Sequence, residues 1–258
     1  MSADTNDTRA IYPSLRGKRV LVTGGGSGIG AGLVEGFVRQ GAHVTFFDIA
    51  EADSRALCDS LADQGPRPRF ERVDLTDIPA AQGVIARLID EDGAFDVLVN
   101  NAASDDRHQV GEVTEAYWDD RIAVNLKHLF FCAQAVLPGM REKGAGAIVN
   151  LGSISWHLAL PELAIYQTAK AAIEGLTRSL AREFGSDGVR VTCVVPGNVR
   201  TPRQLKWYTP EGEAEIVAAQ CLKGRLDPVD VAAMVLFLAS DDARLVTAHE
   251  YFVDAGWR

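Results

Sequence analysis

Seven short hydrophobic segments recur along the chain, each rich in β-branched or aromatic residues. They are KRVLVTG, HVTFFDI, RFERVDL, DVLVNNA, GAIVNLGS, VRVTCVVPG and EYFVDAG. Nearly continuous apolar segments of this length are typical of strands that are buried on both faces of a parallel sheet. Between them, apolar residues recur at helical spacing, as Ile29, Leu33 and Phe37 do after the first segment. This alternation predicts an α/β fold, a doubly wound parallel sheet of about seven strands with helices on both faces.

Two long helices and one irregular segment stand out in the second half of the chain. EAYWDDRIAVNLKHLFFCAQAVLPGMR predicts an amphipathic helix that ends near Pro138 and Gly139, and YQTAKAAIEGLTRSLAREFG predicts one closed by Gly185. The segment 197–224 contains prolines and a glycine that interrupt a helix before Ala214, and it predicts a lid over a ligand. Since no linker or repeat is visible, residues 15–258 predict one domain, preceded by a disordered tail at 1–14.

Composition and charge exclude several classes of function. The 258 residues are 47% hydrophobic with a net charge of −9, and no cluster of basic residues offers a surface for nucleic acid. The acidic N-terminus does not resemble a signal or transit peptide, and no uninterrupted apolar stretch of membrane-spanning length occurs. The four cysteines form no CxxC pair and the five histidines have no ligand spacing, so we expect no metal, reduced thiols and a cytoplasmic protein.

A glycine-rich loop follows the first predicted strand, in VLVTGGGSGIG. Gly24, Gly28 and Gly30 stand where a strand ends and a helix begins, and glycines there let the backbone approach a pyrophosphate at the helix N-terminus. This pattern predicts dinucleotide binding by a Rossmann-type domain, although the spacing GxxxGxG differs from the commonest fingerprint.

Two aspartates follow the next strands. Asp48 ends the second strand, where a carboxylate accepts hydrogen bonds from a ribose and repels a 2′-phosphate; the nearby positions that could hold a cation are Ser27 and Ile49, which favours NAD over NADP. The alternative is that Asp48 only ends a strand in a turn. Asp74 is either an adenine contact or the cap of the following helix.

The stretch YQTAK at 166–170 puts a tyrosine and a lysine four residues apart, on one face of a helix. Ser153 stands thirteen residues earlier, in NLGSISWH. Taken alone, such a pair could be a solvated helix face.

Taken jointly and in order, the motifs resemble the short-chain dehydrogenase/reductase family from about residue 15 to the end of the chain. The matching motifs are TGGGSGIG, NNAA at 100–103, Asn125, Ser153, YQTAK and PGNVRT at 196–201, with Ala103 where the family usually has glycine. The resemblance implies a catalytic set of Asn125, Ser153, Tyr166 and Lys170, in which Asn125 holds a water relay. The expected cofactor contacts are Gly24, Ser27, Gly28, Ile29, Gly30, Asp48, Ile49, Asp74, Leu75, Asn101, Ala102, Tyr166, Lys170, Pro196, Gly197, Val199 and Thr201, with the turn at Pro196 and Gly197 open to a purely structural role.

The resemblance assigns a chemical role to the tyrosine and lysine. A free phenol has a pKa of about 10, and a cation about 5 Å away lowers it by about two units at an effective dielectric of about 20. We expect Lys170, together with oxidised nicotinamide, to supply this field, so that Tyr166 takes a hydroxyl proton while Ser153 orients the substrate oxygen.

Several segments resemble the sugar-oxidising members of the family, among them DDRH at 105–108, ISWH, WYTPEGEAEIVAAQCLKGR and HEYFVDAGWR. We expect hydride transfer from the anomeric carbon of an aldopentose, D-xylose first, to NAD, giving the lactone. A dehydrogenase of another sugar, a polyol or a small ketone is the alternative, and a catalytically silent NAD sensor is a remote one. Expected substrate contacts are Ser153, Tyr166, Asp105, Arg107, His157, Asn198, Arg203 and Trp207, with solvated loop positions as the open alternative for most. Because the two long helices carry surplus apolar residues, among them Phe130, Phe131 and Leu180, we also expect a homo-oligomer, with a tetramer favoured.

Overall fold

A computed structural model describes residues 9–206 and 208–257 of the chain, and its centre is a single parallel sheet. The sheet has seven strands in the order β3-β2-β1-β4-β5-β6-β7. The strands are β1 Arg19–Thr23, β2 His43–Asp48, β3 Arg69–Arg72, β4 Val97–Asn100, β5 Gly146–Leu151, β6 Val189–Pro196 and β7 Glu250–Val253. The predicted fold class is confirmed.

Helices cover both faces of the sheet. They are α1 Gly28–Arg39, α2 Glu51–Ser60, α3 Ile78–Asp92, α4 Glu115–Ile122, α5 His128–Lys143, α6 Ala164–Phe184, α7 Pro210–Ala219 and α8 Pro228–Ala239. Successive strand residues point to opposite faces. Val20 and Val22 of β1 therefore pack into the core under α1, α2 and α8, whereas Leu21 packs into the core under α3, α5 and α6. Burial on both faces explains why the strand segments are apolar without alternation.

The strand order reverses beside β1, because β2 lies on one side of it and β4 on the other. In an open α/β sheet, the loops that leave the carboxyl ends of the strands separate at such a point and form a crevice. The glycine loop after β1 and the segments after β4, β5 and β6 therefore converge on one edge of the molecule.

The predicted end of the first long helix near Pro138 is wrong. Pro138 lies inside α5, which continues to Lys143 and ends at Gly144, a left-handed residue with φ of 62°. Val136, Leu137 and Met140 are buried against the core on both sides of the proline, and this packing outweighs the hydrogen bond that the ring removes.

A π-helical turn, Ala123–Lys127, joins α4 to α5, so the helical run extends from Glu115 to Lys143. By length and composition alone, this run is the one helix in the described part of the chain that could cross a membrane. Core helices pass the same test, and α5 packs against α3, β4 and β5.

Two predicted irregular segments are partly ordered. Within the predicted tail, residues 9–14 lie against the domain: Tyr12 N donates to Gln40 Oε1 at 2.8 Å and Gln40 Nε2 donates to Ala10 O at 2.9 Å. In the lid, α7 begins at Pro210 and not after Ala214. Proline suits the first turn of a helix, and Thr209 caps α7 by accepting from Gly212 N at 3.1 Å.

Candidate active site

The glycine loop packs the N-terminus of α1 tightly against the end of β1. Gly24 has φ of 65°, and a Cβ there would lie 2.7 Å from Ala102 Cα; at Gly30 a Cβ would lie 1.8 Å from Gly24 O. Ser27 is the N-cap of α1, and its side chain accepts no capping hydrogen bond. The first N–H groups of the helix are thus left for another acceptor, which fits the pyrophosphate of a dinucleotide.

Asp48 lies beside this loop. Its carboxylate accepts from Gly26 N at 2.8 Å and from Ala50 N at 2.9 Å, so the backbone fixes its orientation at the end of β2. Ile49 is 65% exposed next to it. This arrangement fits a carboxylate that contacts the ribose of a nicotinamide cofactor.

Asp74 does not cap the following helix, so that alternative is wrong. Asp77 is the cap and accepts from Ala80 N at 3.0 Å. Asp74 accepts instead from the backbone N and the hydroxyl of Thr76, and the hydroxyl hydrogen bond is the main reason why the pKa of Asp74 is lowered. It stays at the rim of the crevice, together with Leu75.

Ser153, Tyr166 and Lys170 meet after β5 and on the first turns of α6. Lys170 is 3% exposed, and its Nζ donates to Leu151 O at 2.8 Å and lies 5.5 Å from the centroid of the Tyr166 ring. Ser153 Oγ donates to Ser155 Oγ at 3.0 Å and accepts from Ser155 N at 3.1 Å. The tyrosine and lysine therefore do not form a solvated helix face.

The pKa values in this group differ from the sequence expectation. Burial raises the pKa of Tyr166 to about 12, and the charge of Asp105 adds to the rise, while Ser153 and Arg203 oppose it. Burial likewise lowers the pKa of Lys170 to about 8. The expected fall in the Tyr166 pKa is for Lys170 acting together with oxidised nicotinamide; without the cofactor, loss of water around the phenol raises this pKa instead.

Asn125 sits in the π-helical turn and is fully buried. Its Oδ1 accepts from Ser104 N at 2.9 Å, and its Nδ2 donates to Ser104 O and to Arg121 O, both at 3.0 Å. The side-chain amide thus pairs with both backbone groups of Ser104, and it ties the helix to the loop after β4. π-turns are rare and often mark functional positions.

One cavity of about 550 Å³ joins the glycine loop, the two aspartates and the group of Ser153, Tyr166 and Lys170, whereas Asn125 is not among its described lining residues. All the predicted cofactor contacts line it, together with Ser153, Asp105, Arg107, Asn198 and Arg203. Ala103 also lines it with an ordinary backbone, since the described non-glycine residues with positive φ are Ala159, Glu162, Ala248 and Ala255. Within the described chain, no three His, Cys, Asp or Glu side chains cluster as metal ligands.

Three of the predicted substrate contacts line the cavity and are also bonded to other residues of the protein. Asp105 accepts from Arg203 Nε and Gln204 Nε2, both at 3.0 Å. Arg107 donates to Pro161 O at 3.4 Å, at the rim. Asn198 Oδ1 accepts hydrogen bonds from Tyr208 Oη and from Arg225 Nη2, so this carbonyl oxygen is used within the protein to hold the lid segment.

The predicted substrate contact at His157 is wrong. The other predicted contact, Trp207, lies outside the described residues. The ring of His157 stacks on Trp156 with centroids 3.7 Å apart, and its Nε2 lies 3.4 Å from Glu174 Oε1. His157 is not among the described residues that line the cavity, and these contacts with Trp156 and Glu174 hold its ring against α6 instead.

Sequence reasoning missed several lining residues, which are Ser104, Ser155, Leu158, Leu160, Gln204 and Trp257. Ser155 stands two residues after Ser153 and could have been found by that spacing. Trp257 packs against the core and also lines the cavity. The leucines carry no motif.

The site combines a crevice, a glycine loop, a buried lysine and a tyrosine, and it is an oxidoreductase site for a nicotinamide cofactor. The chain belongs to the short-chain dehydrogenase/reductase family. A family model described as enoyl-(acyl carrier protein) reductase matches residues 24–258. The D-xylose 1-dehydrogenase of Caulobacter vibrioides is 65% identical over 249 residues, which cover 96% of this chain and 99% of that protein.

Two further relatives show how broad the likeness is. A probable galactose dehydrogenase, GalD, of Rhizobium meliloti is 48% identical over 95% of this chain and 96% of its own. The crystal structure of a 3-oxoacyl-[acyl-carrier protein] reductase from Brucella melitensis superposes with a TM-score of 0.89 at 31% identity, covering 99% of this chain and 97% of that one.

Proposed function

We propose that the protein oxidises an aldopentose, D-xylose first, at its anomeric carbon and uses NAD, giving the sugar lactone. The observation that carries this proposal is the 65% identity, over 96% of the chain, to a D-xylose 1-dehydrogenase. The convergence of Ser153, Tyr166 and Lys170 on one cavity supplies the groups that the reaction needs.

In this reaction the protein's own residues accept the proton of the substrate hydroxyl. Tyr166 Oη takes the proton of the anomeric hydroxyl, and Ser153 Oγ exchanges its hydrogen bond with Ser155 for one to the same substrate oxygen. Lys170 holds its positive charge beside the Tyr166 ring and stabilises the phenolate that precedes proton transfer. When bound, the nicotinamide supplies the acceptor for the hydride that leaves the sugar carbon.

The preference for NAD over NADP rests on Asp48. A carboxylate fixed by two backbone N–H groups accepts hydrogen bonds from ribose hydroxyls and repels a 2′-phosphate. Ser27 and Ile49 stand where a cation would have to pair with that phosphate. Gly24, Gly28 and Gly30 and the N-terminus of α1 would hold the pyrophosphate.

The polar rim suits a neutral polyhydroxyl substrate. Asp105 and Gln204 offer an acceptor and an amide to sugar hydroxyls, while Leu158, Leu160 and Trp257 offer apolar surface for the ring. We expect the segment 202–222 to close over this end of the cavity.

A dehydrogenase of another aldose is the second candidate, and the 48% identity to a probable galactose dehydrogenase favours it over polyols and ketones. A silent NAD sensor would have no need of the intact set Asn125, Ser153, Tyr166 and Lys170.

A panel of substrates tests the function. The purified protein is assayed with NAD and with NADP against pentoses, hexoses, polyols and small ketones, and reduced cofactor is measured by absorbance. We expect the highest kcat/KM for D-xylose with NAD. Turnover of ketones or polyols without turnover of any aldose would refute the proposal.

Location and assembly belong to the same proposal. Three of the four cysteines, Cys58, Cys132 and Cys193, are buried free thiols, and Cys221 is an exposed one, which favours the reducing cytoplasm. We also propose a homotetramer and a role in pentose catabolism.

A further inference from the structure

The two consecutive aspartates of the loop after β4 have different surroundings. Asp105 lines the cavity, and Asp106 is not among the described residues that do. Asp106 lies between two arginines: its Oδ1 is 2.5 Å from Arg203 Nη2, and its Oδ2 is 2.5 Å from Arg121 Nη1. Arg203 follows β6 at the start of the lid segment, and Arg121 belongs to α4, so one carboxylate joins three separate parts of the chain.

The same contacts continue to Asn125 in the π-helical turn. Arg121 Nη1 also donates to Ser104 Oγ at 3.2 Å. The backbone N and O of Ser104 are both bound by the amide of Asn125, whose Nδ2 also reaches Arg121 O at 3.0 Å. We call Ser104, Asp106, Arg121 and Arg203 the Asp106 network.

An isolated ion pair at a half-exposed position contributes little to stability. A second aspartate, Asp120, forms such an isolated pair and can be compared with Asp106. Asp120 pairs with the same guanidinium through Arg121 Nε at 2.9 Å, and its side chain is 50% exposed, as is that of Asp106. Within the described part of the chain, however, the one side-chain partner of Asp120 is Arg121, its neighbour on α4. Asp106 alone of the two connects the lid segment to the loop that holds Asn125.

The geometry points to Asp106 as a positioning residue that joins the lid segment to the catalytic Asn125 through Arg203, Arg121 and Ser104. When Arg203 reaches Asp106, the carboxylate holds Arg121 against Ser104, and Ser104 fixes the Asn125 amide. Closing of the segment over a sugar and alignment of the Asn125 amide thereby become one event. This inference rests on the proposed function and on the expected role of Asn125 in holding a water relay.

The electrostatics of Asp106 agree with this role. Burial alone would raise the pKa of the carboxyl, but the hydrogen bonds from Ser104 and Arg203 and the charges of Arg203 and Arg121 outweigh it and lower the pKa. The carboxylate is therefore charged, and the network intact, throughout the neutral range.

Kinetics of matched variants form the first arm of the test. With D-xylose and saturating NAD, we expect Asp106→Asn to lower kcat/KM between about fivefold and a hundredfold, with the KM for NAD within about twofold of the parent. Asp120→Asn should stay within about twofold of the parent on every constant. Asp106→Glu keeps the carboxylate and should recover most of the loss.

Hydrogen exchange forms the second arm, and it does not depend on activity. In the protein without substrate, Asp106→Asn should raise exchange at 102–107 and at 201–206, segments that are far apart in sequence, while Asp120→Asn should leave both at parental rates. If the parent oxidises no aldose, the proposed function fails. The hydrogen-exchange arm still shows whether Asp106 connects the two segments.

Three results would overturn the inference. Asp106→Asn could match Asp120→Asn in both arms, which would leave Asp106 without a special role. Exchange could rise while the kinetic constants stay parental, which would make the network merely structural. Asp106→Glu could be as impaired as Asp106→Asn, which would show that the carboxylate is not the active feature.

Discussion

Tyr166 carries the most direct prediction at the scale of single residues. Tyr166→Phe keeps the ring that lines the cavity and removes only the oxygen that accepts the proton. We expect NAD binding within about twofold of the parent and a loss of kcat of about 10² to 10⁴. Steady-state kinetics and fluorescence titration with NAD check this. Tyr12→Phe, which changes a tyrosine packed on Phe237 outside that cavity, is the control.

A result within about tenfold of parental activity would exclude Tyr166 as the base, since a positioned acid–base group is worth more than that. Because the protein's own residues raise its pKa to about 12, we expect its base form to depend on the positive charge of bound oxidised nicotinamide.

The buried charge of Lys170, which activity requires, should lower the stability of the folded protein. Its pKa is lowered from 10.5 to about 8 by burial, so between these values the unfolded chain binds more protons than the folded one and stability rises with pH. Below this window the buried charge costs on the order of 1 to 3 kcal/mol. Lys170→Met should therefore be inactive and more stable at about pH 7, with the gain shrinking towards about pH 10.

Thermal unfolding of parent and variant at about pH 7 and about pH 9.5 checks the sign. A difference in Tm that is the same at both values would mean that Lys170 is not titrating in the folded protein. The variant leaves Leu151 O without its present partner, which works against the gain at every pH and cannot imitate the trend.

Asp48 and Ile49 predict the cofactor preference. Asp48→Ala combined with Ile49→Arg removes a repulsive carboxylate and adds a guanidinium for a 2′-phosphate. We expect the NAD:NADP ratio of kcat/KM to fall by about tenfold to a hundredfold. Ile49→Arg alone is the matched control and should move the ratio less, because Asp48 still repels the phosphate. An unchanged ratio in the double variant would place ribose recognition elsewhere.

Residues that act within a motif could be predicted from the sequence, and residues that act through tertiary contacts could not. Asp48, Tyr166 and Lys170 carry fixed spacings from a strand end or from each other. Asp106 shows no such spacing, since its partners Arg121 and Arg203 lie 15 and 97 residues further along the chain.

At the scale of elements, interiors of helices and strands were predictable and their ends were not. Pro138 lies within α5, and Pro210 begins α7. The same residue type interrupts or starts a helix according to the packing around it, and packing is decided by residues far away in sequence. The π-turn at Asn125 likewise has no sequence signal that we can identify.

The lid segment carries the prediction at this scale. Its beginning is held by Arg203 on Asp105 and Asp106, and its end by Arg225, which binds Glu213 Oε1 at 2.7 Å and Asn198 Oδ1 at 3.0 Å. Few buried apolar residues lie between, with Ile216 the one in α7. Without ligand, we expect 202–222 to exchange amide hydrogens faster than α3, yet still with partial protection from these contacts, and we expect it to gain protection with NAD plus xylose over NAD alone.

High protection without ligand, unchanged by NAD and xylose, would make the segment a fixed loop and remove the proposed role of Trp207. Exchange at α3, which packs on α5 away from the crevice, is the internal reference and should not respond to the sugar.

At the scale of the molecule, the cavity depends on strand order. The glycine loop, Asp48, Asn101, Ser153 and Val199 lie far apart in sequence and meet because the carboxyl ends of β1, β2, β4, β5 and β6 share one edge. Alternating strands and helices predict that edge from general rules of α/β folds. Much of the remaining lining comes from the loops after β4, β5 and β6, whose courses no periodicity encodes.

The last prediction concerns assembly. Of the residues expected at a subunit contact, Leu180 is 5% exposed and belongs to the core, whereas Phe130 is 43% exposed and packs edge-on against Phe131. Trp118, at 42% exposed, lies on the same helical run. Large apolar side chains of this exposure favour burial against a second copy. Light scattering at micromolar concentration should therefore give about four times the 27.8 kDa of one chain.

Charged substitutions locate the contact. Phe130→Glu combined with Trp118→Glu should lower the mass measured by light scattering, because burying two new carboxylates in an apolar interface is unfavourable. Leu245→Glu is the control. Leu245 is 86% exposed, comes after α8 and is far in sequence from the helical run at 115–143. A parental mass of one chain would refute the oligomer. A multiple mass that survives Phe130→Glu with Trp118→Glu, yet falls with Leu245→Glu, would move the interface from the α4–α5 helix to the end of the sheet near β7.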